Sequence, residues 1–198
     1  MNIENHKYHH GNLRDEILSA AYNFVLENGY AAMSLRSIAE NCNVSATAIY
    51  RHYKTKEHLL ADVVVKGFIE FNLFVEGDSE ANIFDKCDNY LEFAFDNKNI
   101  YDLLFSQSVV EFLQFPNILE VADSSFQTLL ESVKEHDRSL NDLSASNKAI
   151  HIWSFLHGIS SISKKMDVAL SLPDSEMPIP VRSVKRARSN LRQFIEDL

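Results

Sequence analysis

Between positions 34 and 56 the chain carries Ser34, Arg36, Ser45, Ala46, Thr47, Tyr50, His52, Lys54 and Lys56. Hydroxyls and cations of this kind hold phosphate oxygens, and small side chains let a backbone come close to base edges. Thr47 offers a hydroxyl and a methyl, the second suited to the C5 methyl of thymine. Arg36 presents a fork that matches the O6 and N7 acceptors of guanine. Enzyme chemistry has no comparable foothold. No Ser-His or Cys-His pair sits in a recognisable motif, and there is no HExxH and no Gly-rich phosphate loop. No catalytic residue and no cofactor is assigned, and a small helical enzyme stands only as an alternative.

These residues need two short helices and a turn to present them. Ser34 can cap a helix whose inward stripe is Leu35, Ile38, Ala39 and Cys42. It stops at Asn43, a residue type that tolerates the left-handed backbone of a tight turn. Val44 then anchors inward, and Ser45 caps a third helix running Ala46 to His52. Two short helices about three to four residues apart make a helix-turn-helix. Thr55 opens a fourth helix expected to reach about Val75. Ahead of them lies a first helix capped by Asn12, with Leu13, Ile17, Ala21, Phe24 and Val25 inward and Asn28-Gly29 as its stop; its role is burial.

The tract Ser34 to Leu60, SLRSIAENCNVSATAIYRHYKTKEHLL, resembles the DNA-binding domain of the tetracycline-repressor (TetR) family. The stretch from Val44 carries most of the likeness: a short capped helix, Tyr-x-His-Tyr, then Lys-x-Lys-Glu and a Leu pair. The leader YHHGNLRDEIL is similar to openings in that family. Asn43 stands where the family more often has Gly. The resemblance implies double-stranded operator DNA as partner. Ala46, Thr47 and Arg36 then read bases, while Ser34, Tyr50, His52, Lys54 and Lys56 meet the phosphate backbone; Ser34 and Lys56 do so at helix starts, where free amides attract anions. Plainer roles stand beside these: Tyr50 in the core, although Ile49 and Tyr53 already fit the inward positions, Arg36 and Lys54 as solvated surface, His52 as a cap. The Lys7–Gly11 arm can enter an adjacent minor groove or stay frayed until DNA orders it. His6, His9 and His10 have no carboxylate or thiol spaced to complete a metal site, so no metal is assigned.

The remainder, residues 61–198, reads as further helices, giving an all-α fold of about nine. Residues 1–60 would be the helix-turn-helix domain and 61–198 an effector-binding and dimerisation domain. Helix five is expected from Ser79, with Ile83, Cys87, Leu91, Ala94 and Phe95 inward and Asn97-Lys98-Asn99 at its end. IYDLLFS makes a sixth. Pro116 starts a seventh that buries Leu119, Ala122, Phe126, Leu129, Leu130 and Val133. EHDRSLNDLSAS reads as a loop, Ala145 to Ala169 as helix eight, and Val181 to Asp197 as the last. Helix eight is apolar on more than one face, which suits a central or interfacial place, and Gly158 allows another helix close. Its Trp153-x-x-x-His157-Gly158 resembles one C-terminal subgroup of the TetR family. The resemblance implies a homodimer through the last two helices and an effector pocket among the middle ones. Phe105, Phe112, Phe126, Trp153 and His157 are the candidates to line it for an apolar or aromatic small molecule. For any single Phe a place in the core is the plainer reading, and His157 reads equally as a core histidine held by a carbonyl.

Charge agrees with this division of labour. In residues 1–60, six basic side chains (Lys7, Arg14, Arg36, Arg51, Lys54, Lys56) balance six acidic ones (Glu4, Asp15, Glu16, Glu27, Glu40, Glu57), so the whole net charge of −9 falls beyond residue 60. DNA repels the acidic part and tolerates the other. Cys42 and Cys87 match no disulfide or metal spacing and read as reduced thiols of a cytoplasmic protein. Met1 to Tyr8 is too polar for a secretory signal, and no apolar run is long enough to span a membrane. The expectation is a ligand-released repressor, or less often an activator. A DNA-bound regulator controlled by a protein partner without ligand is the remaining alternative.

Overall fold

The computed structural model describes residues 13–105 and 115–198, and every regular element there is helical. The Lys7–Gly11 arm, the Asn12 cap and Phe112 lie outside the described residues.

Helix α1 spans Leu13–Asn28 and buries Ile17, Ala21, Tyr22 and Val25. Gly29 ends it at φ 77, its N–H on the Val25 carbonyl at 2.8 Å, a conformation that costs glycine little. A 3-10 turn, Tyr30–Ala32, leads to α2, Leu35–Asn41. Ser34 caps α2 reciprocally: its Oγ accepts from the Ser37 amide at 3.0 Å, and the Ser37 Oγ accepts from the Ser34 amide at 3.0 Å. Asn43 takes φ 53, the left-handed turn expected of it. The Val44 amide then returns to the Ala39 carbonyl at 3.0 Å. Ser45 caps α3, Ala46–Tyr50, through the Ala48 amide at 3.2 Å. Thr55 caps α4, Lys56–Glu76, which Gly77 closes at φ 68.

Beyond lie α5 (Ile83–Asp96), α6 (Lys98–Leu104), α7 (Pro116–His136), α8 (Asp142–Lys165), the single turn α9 (Asp167–Leu170), α10 (Ile179–Ser189) and α11 (Leu191–Glu196). Buried side chains form one continuous cluster from Ile17 to Ile195. Helix α4 lies at its centre, touching α1 on one side and α5, α6 and α7 on others. It crosses α6 closely at Gly67, where an added Cβ would stand 3.0 Å from Leu104 Cδ2 and 3.3 Å from Ile100 Cγ2.

Several expected boundaries move. Helix α5 starts at Ile83, not Ser79, because the Asn82 side chain captures the Phe84 and Asp85 amides and Asp85 accepts from the Asn82 amide. The loop expected over 135–146 shrinks to 137–141, since Asn141 caps α8 through the Ser144 amide at 2.9 Å. Helix α8 stops at Lys165, where Met166 turns to φ −112 and ψ 12. The last helix breaks at Asn190, with φ −105 and ψ 19. In α7 it is Ile118 that is fully buried, while Leu119 is 51% exposed; successive helical residues point about 100° apart, so a stripe centred on Ile118 turns Leu119 outward. With these breaks the described residues hold eleven α-helices, not nine.

Replacing Gly67 with Val should force α4 and α6 apart. We expect the folding free energy to fall by about 1–3 kcal/mol, the cost of overpacking, read from the midpoint of urea unfolding. An unchanged midpoint would show that α6 yields without cost.

Candidate nucleic-acid interface

The helix-turn-helix sorts its side chains cleanly between core and surface. Ile38, Ile49 and Tyr53 are buried beneath it. Tyr50, next to Ile49, is 55% exposed. Ser34, Arg36, Ser45, Ala46, Thr47, His52 and Lys54 are exposed as well. Eight of the nine residues singled out by type are thus exposed. Arg51, exposed beside Tyr50, adds a cation that the reading of the sequence passed over. Arg36 Nε pairs with Glu40 Oε1 at 3.3 Å along α2, both well exposed. A surface pair of this kind is worth about 0–1 kcal/mol, a small barrier to re-pairing. Lys56 is less exposed: its ammonium donates to the Ala31 carbonyl at 3.3 Å, tying α4 to the 3-10 turn.

The position of α3 is fixed by a group that the sequence did not advertise. Arg14 on α1 donates to Asp62 Oδ2 on α4 at 2.8 Å, and the Tyr53 hydroxyl donates to the same oxygen at 2.8 Å. The guanidinium also lies over the Tyr53 ring, 5.5 Å from its centre. Burial pushes the Tyr53 phenol up to about 12, so it stays protonated and keeps donating. Helix α1 therefore does more than bury a stripe. Opposite charges on two helices converge on Tyr53, three residues beyond α3, and only tertiary structure brings positions 14, 53 and 62 together.

Behind the helix-turn-helix, α4, α5, α7 and α8 enclose a cavity of about 470 Å³. Phe105, Phe126 and Trp153 line it among mostly apolar neighbours. Six polar residues that line it, Asn72, Lys86, Asp123, Ser125, Thr128 and Ser132, were not foreseen. Asn72 Nδ2 donates to the Val121 carbonyl at 3.2 Å, and the Ser125 hydroxyl donates to Asn72 Oδ1. Lys86 Nζ donates to Ser132 Oγ at 3.2 Å. Their signal was faint: Lys86 stands next to Cys87 on the inward stripe of α5, and Ser132 next to Val133 on that of α7. Cys87 lines the cavity too, its thiol pushed up to about 12 by burial, which keeps it un-ionised and unreactive.

His157 stacks on Trp153 and meets Phe105 edge-on, with ring centres 5.8 and 5.4 Å away, but lines a second, smaller cavity of about 430 Å³ with Tyr101, Ser160 and Lys164, Phe105 being on the wall of both. Its Nδ1 is 2.9 Å from the Tyr101 hydroxyl, itself 2.9 Å from the Tyr90 hydroxyl. The histidine's partner is a phenol, where a carbonyl was the alternative. Lys164 pairs with Asp102 at the same cavity. Among the described residues no cluster of His, Cys, Asp or Glu could hold a metal ion, and no helix is long and apolar enough to cross a membrane.

Residues 17–63 match the family model for bacterial regulatory proteins of the tetR family, and residues 83–176 match that for a tetracyclin repressor-like C-terminal domain. No curated protein matches the chain. Among solved structures, a protein of unknown function from Rhodococcus sp. RHA1 is similar with a TM-score of 0.70 at 20% identity over 97% of each chain. BioQ, solved with its natural double-stranded DNA operator, has a TM-score of 0.60 at 14% identity, over 93% of this chain and 95% of BioQ. The transcriptional regulator FadR from Bacillus subtilis, in complex with stearoyl-CoA, has a TM-score of 0.61 at 20% identity, over 89% of this chain and 96% of FadR. At such identities the likeness is one of fold.

Burial holds the His157 imidazole below its usual range, so the native state favours the neutral ring. The stability it contributes is present above the ordinary histidine pKa and is lost as pH falls through the lowered one. Acidification from pH 7.5 to 5.5 should therefore lower the melting temperature more for the parent than for His157→Asn. Equal losses would remove His157 from the acid response.

Proposed function

This chain belongs to the TetR family of bacterial regulatory proteins, transcription regulators that bind DNA through a helix-turn-helix, and on that premise we propose that it is a repressor released from its operator by a small molecule. The observation that carries the reading is the outer face of α3, where Ala46, Thr47 and Tyr50 stand exposed over a buried Ile49 and Tyr53. A short helix held from beneath, with small residues at its capped start, is built to enter a major groove. Ala46, Thr47 and Arg36 read bases. Ser34, Ser45, Tyr50, His52, Lys54 and Lys56 position the protein on phosphates.

Residues 1–60 do this work in our reading, and 61–198 serve effector binding and dimerisation. Two features support a homodimer. Ile150, Ser154 and Ile162 form an exposed stripe on α8, and a Cβ at Gly158 would meet nothing within 4 Å. Ile179 at the start of α10 is 74% exposed. A second copy covers this face and doubles the DNA contacts on half-sites about 34–36 Å apart or a multiple of it. The cavity is the effector's place: about 470 Å³ lies within the usual range for small-molecule sites. BioQ on its operator and FadR with stearoyl-CoA show the same fold in both situations.

Footprinting on DNA around the chain's own gene should protect a near-palindrome, with affinity falling steeply between two salt concentrations; absence of protection there and in a genome-wide selection would overturn the assignment. In the same assay Tyr50→Ala and Lys56→Ala should weaken binding to all sites alike. Arg36→Ala should relax preference at one base pair, costing about 1–3 kcal/mol. An Arg36 variant that ranks operator variants as the parent does would lose its base-reading role. Ile162→Glu should shift the sedimenting species from dimer to monomer, and a dimer that survives it would move the interface elsewhere.

A further inference from the structure

We infer that the occupant of the larger cavity is an anionic amphiphile: one carboxylate on an apolar aliphatic or aryl body, with the carboxylate at Lys86 and Ser132. The inference rests on the effector reading above and adds the chemical class.

Its basis is an imbalance of charge inside an apolar box. Phe68, Phe71, Leu104, Phe126, Leu129 and Leu156 supply apolar wall. At one end Lys86 Nζ donates to Ser132 Oγ at 3.2 Å, and Ser132 Oγ donates to the Thr128 carbonyl at 2.8 Å. Ser132 is only 3% exposed. Its proton is committed to the carbonyl and its oxygen takes one of the three ammonium hydrogens, which leaves two to donate. Among the described residues no carboxylate stands within ion-pair distance of Lys86.

Among the described residues the one carboxylate on the cavity wall, Asp123, is exposed. It sits nine residues before Ser132 on α7, about 13.5 Å away along the axis. The Asn72–Ser125 pair is at that far end, about 10.5 Å from Ser132 by the same rise. The cavity thus has its cation at one end, hydrogen-bonding side chains and the exposed Asp123 at the other, and aromatic rings between. A cation drawn partly out of water against apolar walls is stabilised by an anion that brings hydrogen-bond acceptors. One ammonium matches one carboxylate, and falls short of a dianionic phosphate.

The test uses the full chain and its single tryptophan, Trp153, which lines the cavity and reports on occupancy by fluorescence. The probes are decanoate, 1-decanol, decylamine and decyl phosphate, together with 4-butylbenzoate and its methyl ester, each below its aggregation limit. Thermal melting serves as a second readout. The carboxylates should bind at least tenfold tighter than their neutral counterparts, decylamine most weakly, and decyl phosphate no tighter than decanoate. Lys86→Met should cost decanoate about ten- to hundredfold, the weight of a charge-assisted hydrogen bond, and leave decanol as it was. Lys86→Arg should keep the preference for acid. Decanoate and decanol binding equally, with Lys86→Met altering neither, would overturn the carboxylate and leave the effector cavity standing. If no probe changes either readout, the cavity takes no apolar guest and both readings fall.

Discussion

Helix α4 must satisfy two environments with one uninterrupted backbone, and the rest of the molecule depends on its doing so. Its first turns bury Leu59, Leu60 and Val63 under the helix-turn-helix, and further along Phe68 and Phe71 face the cavity. Each of these side chains is worth about 1.5–3 kcal/mol when fully buried, so neither half of the helix can come free alone. The Arg14–Asp62–Tyr53 group adds a polar tie at the join, where α1, α4 and Tyr53, three residues beyond α3, meet. One continuous helix therefore joins the helix-turn-helix to the cavity wall.

A void of this size beside a continuous core needs stiff walls. Here the walls are aromatic rings braced edge to face. Phe71 meets Tyr90, Phe93 and Phe105 with ring centres 5.1 to 5.8 Å apart and planes near perpendicular. Such pairs contribute about 0.5–1.5 kcal/mol beyond their area, and they hold rings in place without filling the space between helices. On the far side of α5, Arg188 and Arg192 lie over Phe95 and Phe84, at 3.7 and 4.1 Å from the ring centres. The basic residues of the last helices thus press α5 from outside and bind those helices into their own chain.

Residues 34–76 were legible almost element by element because their signals are local. Ser34, Ser45, Thr55, Asn43 and Gly77 each act through amides within a few positions, and each sits where its type dictates. The later helices were legible in number and order but less so in phase. Which of Ile118 or Leu119 turns inward depends on how α7 rests against α4 and α8, and no residue near position 118 encodes that. The division of the cavity followed the same line. Phe105, Phe126 and Trp153 could be nominated because large apolar rings must be buried somewhere. Lys86, Asn72, Ser125 and Ser132 could not, since a polar residue on a helix ordinarily faces water and its type alone does not mark the exception. Arg14 escaped notice for the same reason: its partners are 39 and 48 positions away.

Gly67 sits about midway along α4, at its close crossing with α6. From there to Lys56 is eleven residues, an arm of about 16 Å. A tilt of about 10° about that crossing sweeps the end of the arm through about 3 Å, close to the roughly 3.4 Å that separates neighbouring nucleotides along a strand. The missing side chain at one position thus lets α4 and α6 cross closely near the middle of a helix whose first residue, Lys56, lies far enough out for a small tilt to be magnified there.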